Sequence, residues 1–222
     1  MSQIVCVVGA SDSGKTKLVT SIVAELSRRG WNVATAKHSK STFSLEPKAK
    51  DTFKHRKSGA KTVLFLGPRE TVAVRPPGEE LGACVARFCS DADIVIAEGF
   101  VGENYPKIAI ATNRKSESDL TALPNLRALV RPRPQTSPKA SEAVKRLPQF
   151  RLNDTKCICD FIEKQFLSRK IGTDAYLLVN DKQVPLNAFV RNFLARSVLG
   201  IVSSLKGTGR LRSLEVVIRK RN

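Results

Sequence analysis

The chain is short of the residues that would mark several common activities. It holds only two histidines, too few for the His-rich tract of a metal-delivery protein. Its five cysteines, Cys6, Cys84, Cys89, Cys157 and Cys159, contain no pair of C-x-x-C units at zinc-finger spacing. All five are expected as reduced core residues, with Cys157 and Cys159 two apart on a helix and facing away from each other. No apolar run approaches the ~18–20 residues of a membrane span. A basic, apolar, cleavable leader is also missing, so a cytoplasmic protein without a membrane partner is expected. Aromatic residues make up 6%, and no zinc, helix-turn-helix or RNP-type signature accompanies them, which argues against nucleic acid as the partner.

Acidic residues are scarce. Twenty Asp and Glu stand against 38 Lys and Arg, a formal net charge of +18. Residues 1–130, 131–170 and 171–222 each carry an excess of six positive charges (19 against 13, 10 against 4, 9 against 3). Charge density is therefore higher after residue 130 than before it. Such a surface suits nucleic acid, phosphate-rich ligands or an acidic protein, and charge alone does not choose among them.

What is present is concentrated at the N-terminus. The apolar run Ile4-Val5-Cys6-Val7-Val8 leads into Gly9-Ala10-Ser11-Asp12-Ser13-Gly14-Lys15-Thr16. This is the phosphate-binding G-x-x-x-x-G-K-[ST] string, a P-loop. Gly9 and Gly14 permit the backbone angles that turn successive N–H groups around an anion, and a helix N-terminus adds its partial charge. Lys15 is expected to reach the β- and γ-phosphates and Thr16 to ligate Mg²⁺.

Leu18, Val19, Ile22, Val23 and Leu26 then recur at helical spacing, and Arg28-Arg29-Gly30 ends the helix. Strands are expected over residues 32–37, 61–66, 70–75, 93–97, 107–112 and 126–130, and helices over 48–59, 79–89 and 154–167. The alternation implies a three-layer α/β fold with a mostly parallel sheet. The first domain spans residues 1–168, and its Pro-, Ser- and Arg-rich stretch 131–148 reads as an exposed loop. Residues 169–222 form a small basic α+β module: a hairpin at 176–186, a helix and a last strand. In that helix Val190, Leu194, Val198, Ile201 and Leu205 make a stripe expected to pack on the module's own strands, with an additional contact to the first domain or another subunit left open.

A P-loop site needs an acid at the end of a buried strand. Glu98 follows Ile94-Val95-Ile96-Ala97 at the carboxyl end, where ligands of parallel sheets gather, while Asp93 lies at the other end. Glu98 is therefore the candidate metal and catalytic carboxylate. Asp51 is a second candidate, although an Asp at a helix start is more often a cap. Lys37-His38 ends another strand on the same sheet edge, where an anion contact fits Lys37 and a structural role is the commoner one for His38.

Together these motifs resemble the MobB type of molybdopterin-guanine dinucleotide biosynthesis protein. The match is collinear over residues 1 to about 168 and rests on the P-loop, Lys37-His38, Lys50-Asp51-Thr52 with Arg56-Lys57-Ser58-Gly59-Ala60, and Asp93 through Phe100. The resemblance implies a GTP- and Mg²⁺-binding accessory protein with weak GTP hydrolysis. Its partner would be the guanylyltransferase that attaches GMP to the molybdenum cofactor, with molybdoenzyme targets and a bound molybdopterin-type cofactor as further associations. It implies that Lys15, Thr16 and Glu98 handle nucleotide and metal, and that Lys37, His38, Asp51 and Arg56 surround the anion. Val101 stands where family members often have a lysine. A small-molecule kinase and a basic nucleic-acid-binding NTPase are the alternative readings. No Asn-Lys-x-Asp string is present, so the preference for GTP rests on the resemblance, and an exposed sheet edge leaves a homodimer open.

Overall fold

The computed structural model describes residues 3–39, 51–112, 120, 122–131, 146–167, 175–180, 182–206 and 214–218. In chain order the elements are Gln3–Gly9 (β1), Lys15–Arg28 (α1), Val33–Lys37 (β2), Asp51–Lys57 (α2), Val63–Leu66 (β3), Thr71–Val74 (β4), Leu81–Phe88 (α3), Ile94–Glu98 (β5), Lys107–Ile110 (β6), Leu126–Arg131 (β7), Gln149–Arg151 (β8), Thr155–Phe166 (α4), Leu177–Val179 (β9), Lys182–Val184 (β10) and Ala188–Ser203 (α5).

Six strands pair in the order β2-β5-β1-β6-β7-β8, every pair parallel. The central strands are mostly apolar because both faces are covered, with buried Lys107 at the start of β6 and Glu98 at the end of β5 as the charged exceptions. Alternate residues of β1 serve different cores, as the two-residue strand period requires. Val5 and Val7 pack with Leu18, Ile22 and Leu26 of α1 and Ile158 and Ile162 of α4. Ile4, Cys6 and Val8 pack with Leu81 and Val85 of α3. This is the three-layer arrangement expected. Each fully buried Ile or Leu in these layers contributes roughly 1.5–3 kcal/mol.

Helix α1 stops for an identifiable reason. Gly30 takes φ +88°; its N–H bonds the Ser27 carbonyl at 3.0 Å, and that of Trp31 bonds Leu26 at 3.1 Å. This is the Schellman pairing, and it turns Trp31 onto the α1–α4 core. The Trp31 indole donates to Glu163 at 2.6 Å, and Arg29 bridges Glu25, Asp160 and Glu163, so α1 and α4 are clamped by charge as well as packing.

Hydrogen bonds from Arg28 and Arg29 hold the Glu25 carboxyl at about 2, against an ordinary 4.5. A depressed carboxylate contributes stability above its unfolded pKa and loses it as pH falls through the folded value. Glu25→Gln is therefore expected to flatten the pH dependence of the urea midpoint between pH 4.5 and about 2. An unchanged slope would show that these pairs contribute nothing.

Several expectations need correction. The strand at Val63–Leu66 does not join the parallel sheet. It pairs antiparallel with β4 as a separate ribbon, because apolar periodicity identifies a strand without identifying its neighbour. Strand β8, only three residues long, was too brief for periodicity to reveal. Residues 132–145 of the expected loop lie outside the described residues, whereas Arg131 ends β7 and is buried. The hairpin of the C-terminal module is present, but 214–218 form no strand.

Helix α5 packs less than expected. Of the predicted stripe, Val190, Leu194 and Val198 are half-buried while Ile201 and Leu205 are exposed; Ala195 is its only buried residue. Strand β10 instead lies against α3, tying the module to the first domain. The cysteines divide too: Cys6 and Cys159 are buried, Cys84 and Cys89 half-buried and Cys157 exposed. Burial pushes the Cys6 thiol up to about 11 and that of Cys159 to about 12, which keeps both protonated and unreactive at neutral pH.

Candidate functional site

The sheet register assembles the site. Glu98 is aligned with Val7 on one side and Lys37 on the other, so the carboxyl ends of β1, β5 and β2 lie side by side beneath the Gly9–Thr16 loop. Three sequence candidates are thereby brought together. The Thr16 hydroxyl lies 2.9 Å from both oxygens of Glu98, and the Lys37 ammonium lies 3.2 Å from Glu98 Oε1. Glu98 is itself buried, at 9% exposure, while the Lys37 side chain remains 61% exposed. A buried carboxylate is thus held by one neutral donor and one exposed cation, an arrangement in which a metal ion can replace the cation's charge.

The loop is shaped for an anion. Gly14, φ +92°, stands at the N-cap of helix α1, which has no side chain capping it and no acidic residue in its first turn. Its first N–H groups and positive dipole end are left for a ligand. Gly9 is required by close approach, since a Cβ there would lie 2.9 Å from both the Ile110 carbonyl and Ser13 Oγ. The Ser13 hydroxyl is buried and has no hydrogen-bond partner among the described residues. Leaving such a group unsatisfied costs about 1–3 kcal/mol, and a phosphate oxygen on the loop would satisfy it. Lys15 Nζ donates to the Ala10 carbonyl across the loop at 2.5 Å. Ala10, Ser11 and Asp12 form the exposed crest, with Asp12 at φ 53°. A nucleotide phosphate therefore fits the loop, and Mg²⁺ fits the Thr16–Glu98 pair.

Beside Glu98 the chain is strained in a way the sequence did not reveal. Gly99 and Phe100 take φ +94° and +57°, and the second is unusual for a bulky residue. The Phe100 ring meets His38 edge-on at 5.4 Å, while the His38 N–H bonds the Glu98 carbonyl at 3.0 Å. His38 therefore locks the end of β2 to the end of β5. Phe100 was not among the candidates, and only its backbone angle singles it out. Asp51 and Arg56 lie on exposed α2, where Asp51 pairs with Lys54 at 2.9 Å and Arg56 sits over the Phe53 ring.

The family described as molybdopterin guanine dinucleotide synthesis protein B, MobB, matches residues 4–132, more than half of the chain. The chain belongs to the MobB family. It is 27% identical over 139 residues to the Haemophilus influenzae molybdopterin-guanine dinucleotide biosynthesis adapter protein, covering 53% of this chain and 78% of that one. Against the Escherichia coli adapter protein of the same name it is 30% identical over 105 residues, 45% of this chain and 60% of that one. Among solved structures, a MobB homolog from Bacillus stearothermophilus superposes with a TM-score of 0.56 at 26% identity, covering 73% of this chain and 97% of its own. A second structure, of molybdopterin-guanine biosynthesis protein B, gives 0.58 at 28% identity, covering 74% and 99%. The family match takes in the loop, the Lys37-His38 pair and Glu98, and it ends before the C-terminal hairpin and α5. Among the described residues of this MobB-family chain no helix is long and apolar enough to cross a membrane.

Proposed function

We propose that this MobB-family protein binds GTP with Mg²⁺ at the Gly9–Thr16 loop and acts in the cytoplasm as an adapter to the molybdenum cofactor guanylyltransferase. In that role it helps the transferase attach GMP to the molybdopterin-type cofactor supplied to molybdoenzyme targets. The observation that carries the reading is the buried Glu98 carboxylate held between Thr16 and Lys37 at the foot of the loop. Lys15 and the uncapped start of α1 take the phosphates, Thr16 and Glu98 hold the metal, and Lys37 swings from Glu98 to the anion. Bound Mg²⁺ supplies charge neutralisation at the phosphates. Slow hydrolysis goes with this reading, in which Glu98 holds the metal rather than taking a proton from water.

The guanine preference rests on family membership, so base identity is the point to test. Calorimetric titration with non-hydrolysable GTP and ATP analogues in Mg²⁺ is expected to favour GTP by about tenfold or more, a difference of about 1.4 kcal/mol. Added to a guanylyltransferase assay, the protein is expected to raise the yield of dinucleotide cofactor. Tight ATP binding with GTP ignored would point to a kinase or another ATPase instead.

A further inference from the structure

Among the described residues Lys107 is the largest fully buried side chain, at 0% exposure, and nothing in the nucleotide site uses it. It opens β6 and pairs with Cys6, so its stem lies on the face of the sheet where Cys6 packs toward α3. An ammonium is tolerated there only when hydrogen bonds replace its water. Three do so. The Lys107 ammonium donates to the carbonyls of Glu103, of Tyr105 at 3.2 Å and of Pro124 at 3.1 Å. The cage thus joins two segments, the loop that leaves β5 and the turn that enters β7. Asn125 reinforces the tie by donating to Asn104 Oδ1 at 2.6 Å and to the Asn104 carbonyl at 3.2 Å.

From that cage a run of contacts leads back to Glu98. The Glu103 N–H bonds the Phe100 carbonyl at 3.2 Å, the Phe100 ring meets His38, and the His38 N–H bonds the Glu98 carbonyl. Within this run Gly99 and Phe100 both hold positive φ. A phenylalanine stays in that region only where its surroundings over-determine it. His38 constrains it from one side and the Lys107 cage from the other. Stability alone does not account for the lysine, because an apolar residue in place of a buried ionic group is often neutral or stabilising. A group that orients a metal ligand does account for it, since such outer contacts fix where the ligand's oxygens lie.

We infer that Lys107 is a positioning residue: its ammonium, a tethered cation inside the carbonyl cage, holds residues 99–106 in the shape that sets the Glu98 carboxylate against Thr16. Lys107 itself touches neither nucleotide nor metal. The inference rests on the reading of Glu98 as the carboxylate that holds Mg²⁺.

The test uses the full-length chain. Lys107→Met keeps an apolar stem and removes the charge, so the three carbonyls turn toward water and the loop loosens. Amide hydrogen exchange of residues 99–105 in the nucleotide-free protein is expected to speed up by about tenfold or more, while β1 and α1 keep wild-type protection. In single-turnover GTP hydrolysis the Mg²⁺ concentration for half-maximal rate is expected to rise by about tenfold, the scale of losing a group that orients a metal ligand. Affinity for a GTP analogue at saturating Mg²⁺ should change by less than about threefold. A lowered melting temperature with wild-type loop exchange and wild-type Mg²⁺ dependence would make Lys107 a stability residue and overturn the inference. Faster loop exchange without a shift in Mg²⁺ dependence would do the same. Asn125→Gly is the second variant, because it suits the backbone at φ +58° and removes only the tie to Asn104. It is expected to shift both readings in the same direction by about two- to threefold. Should Lys107→Met not fold, wild-type readings in Asn125→Gly overturn the inference. Absence of Mg²⁺-dependent hydrolysis in the unaltered protein would instead overturn the metal reading of Glu98, and the inference with it.

Discussion

Glu98→Gln is expected to reduce Mg²⁺-dependent GTP hydrolysis by about tenfold to a hundredfold while changing GTP affinity by less than about threefold. The amide has nearly the shape of the carboxylate and can still accept from Thr16, so the packing at the end of β5 survives. What disappears is the negative charge. Lys37, 3.2 Å away, loses its counter-charge, and the proposed metal site loses the buried carboxylate that the register places beside the loop. In the proposed role the phosphates are taken by Lys15 and the α1 N-terminus, which the change does not touch. Single-turnover hydrolysis across a Mg²⁺ series reads the effect, and the variant should need more Mg²⁺ to reach its maximum rate. Equal loss of binding and hydrolysis would make Glu98 a direct determinant of nucleotide affinity.

The parts of this site that could be read in the sequence are those fixed by local chemistry. Gly9, Gly14, Lys15 and Thr16 are contiguous, and their backbone demands do not depend on distant residues. Glu98 was legible because it ends a fully apolar strand, whose carboxyl end is where parallel sheets bind ligands. The Lys37–Glu98 pair was not, since it needs β2 beside β5, and strand order is set by contacts 61 residues apart in sequence. The β3–β4 ribbon escaped for the same reason: Val63–Leu66 has the composition of a sheet strand, yet only Val63 is buried. Helix α5 misled in the opposite direction. Its apolar periodicity implied a stripe packed on the module, whereas Val190, Leu194 and Val198 of that stripe are only half-buried and Ile201 and Leu205 are exposed. A period shows that residues share a face; it does not show what the face meets.

The second large effect is expected at Lys15. Lys15→Ala should weaken binding of the Mg²⁺ complex of a GTP analogue by about a hundredfold or more, because charge-assisted hydrogen bonds contribute about 1.5–3 kcal/mol each and one ammonium can make more than one to phosphate. The fold should not suffer. The Lys15 ammonium bonds the Ala10 carbonyl within the loop, and Leu18, Val19, Ile22 and Leu26, which seat α1 on the sheet, are unchanged. Melting temperature without nucleotide is therefore expected to match the wild type, whereas the rise in melting temperature on adding the analogue should vanish, because a ligand stabilises only to the extent that it binds the native state. The two readings together separate the loop's chemistry from its architecture. A lowered melting temperature without ligand would mean that the Lys15–Ala10 contact holds the loop's shape. An undiminished ligand-induced rise would mean that triphosphate binds elsewhere, and the Gly9–Thr16 loop would lose its assignment as the phosphate site.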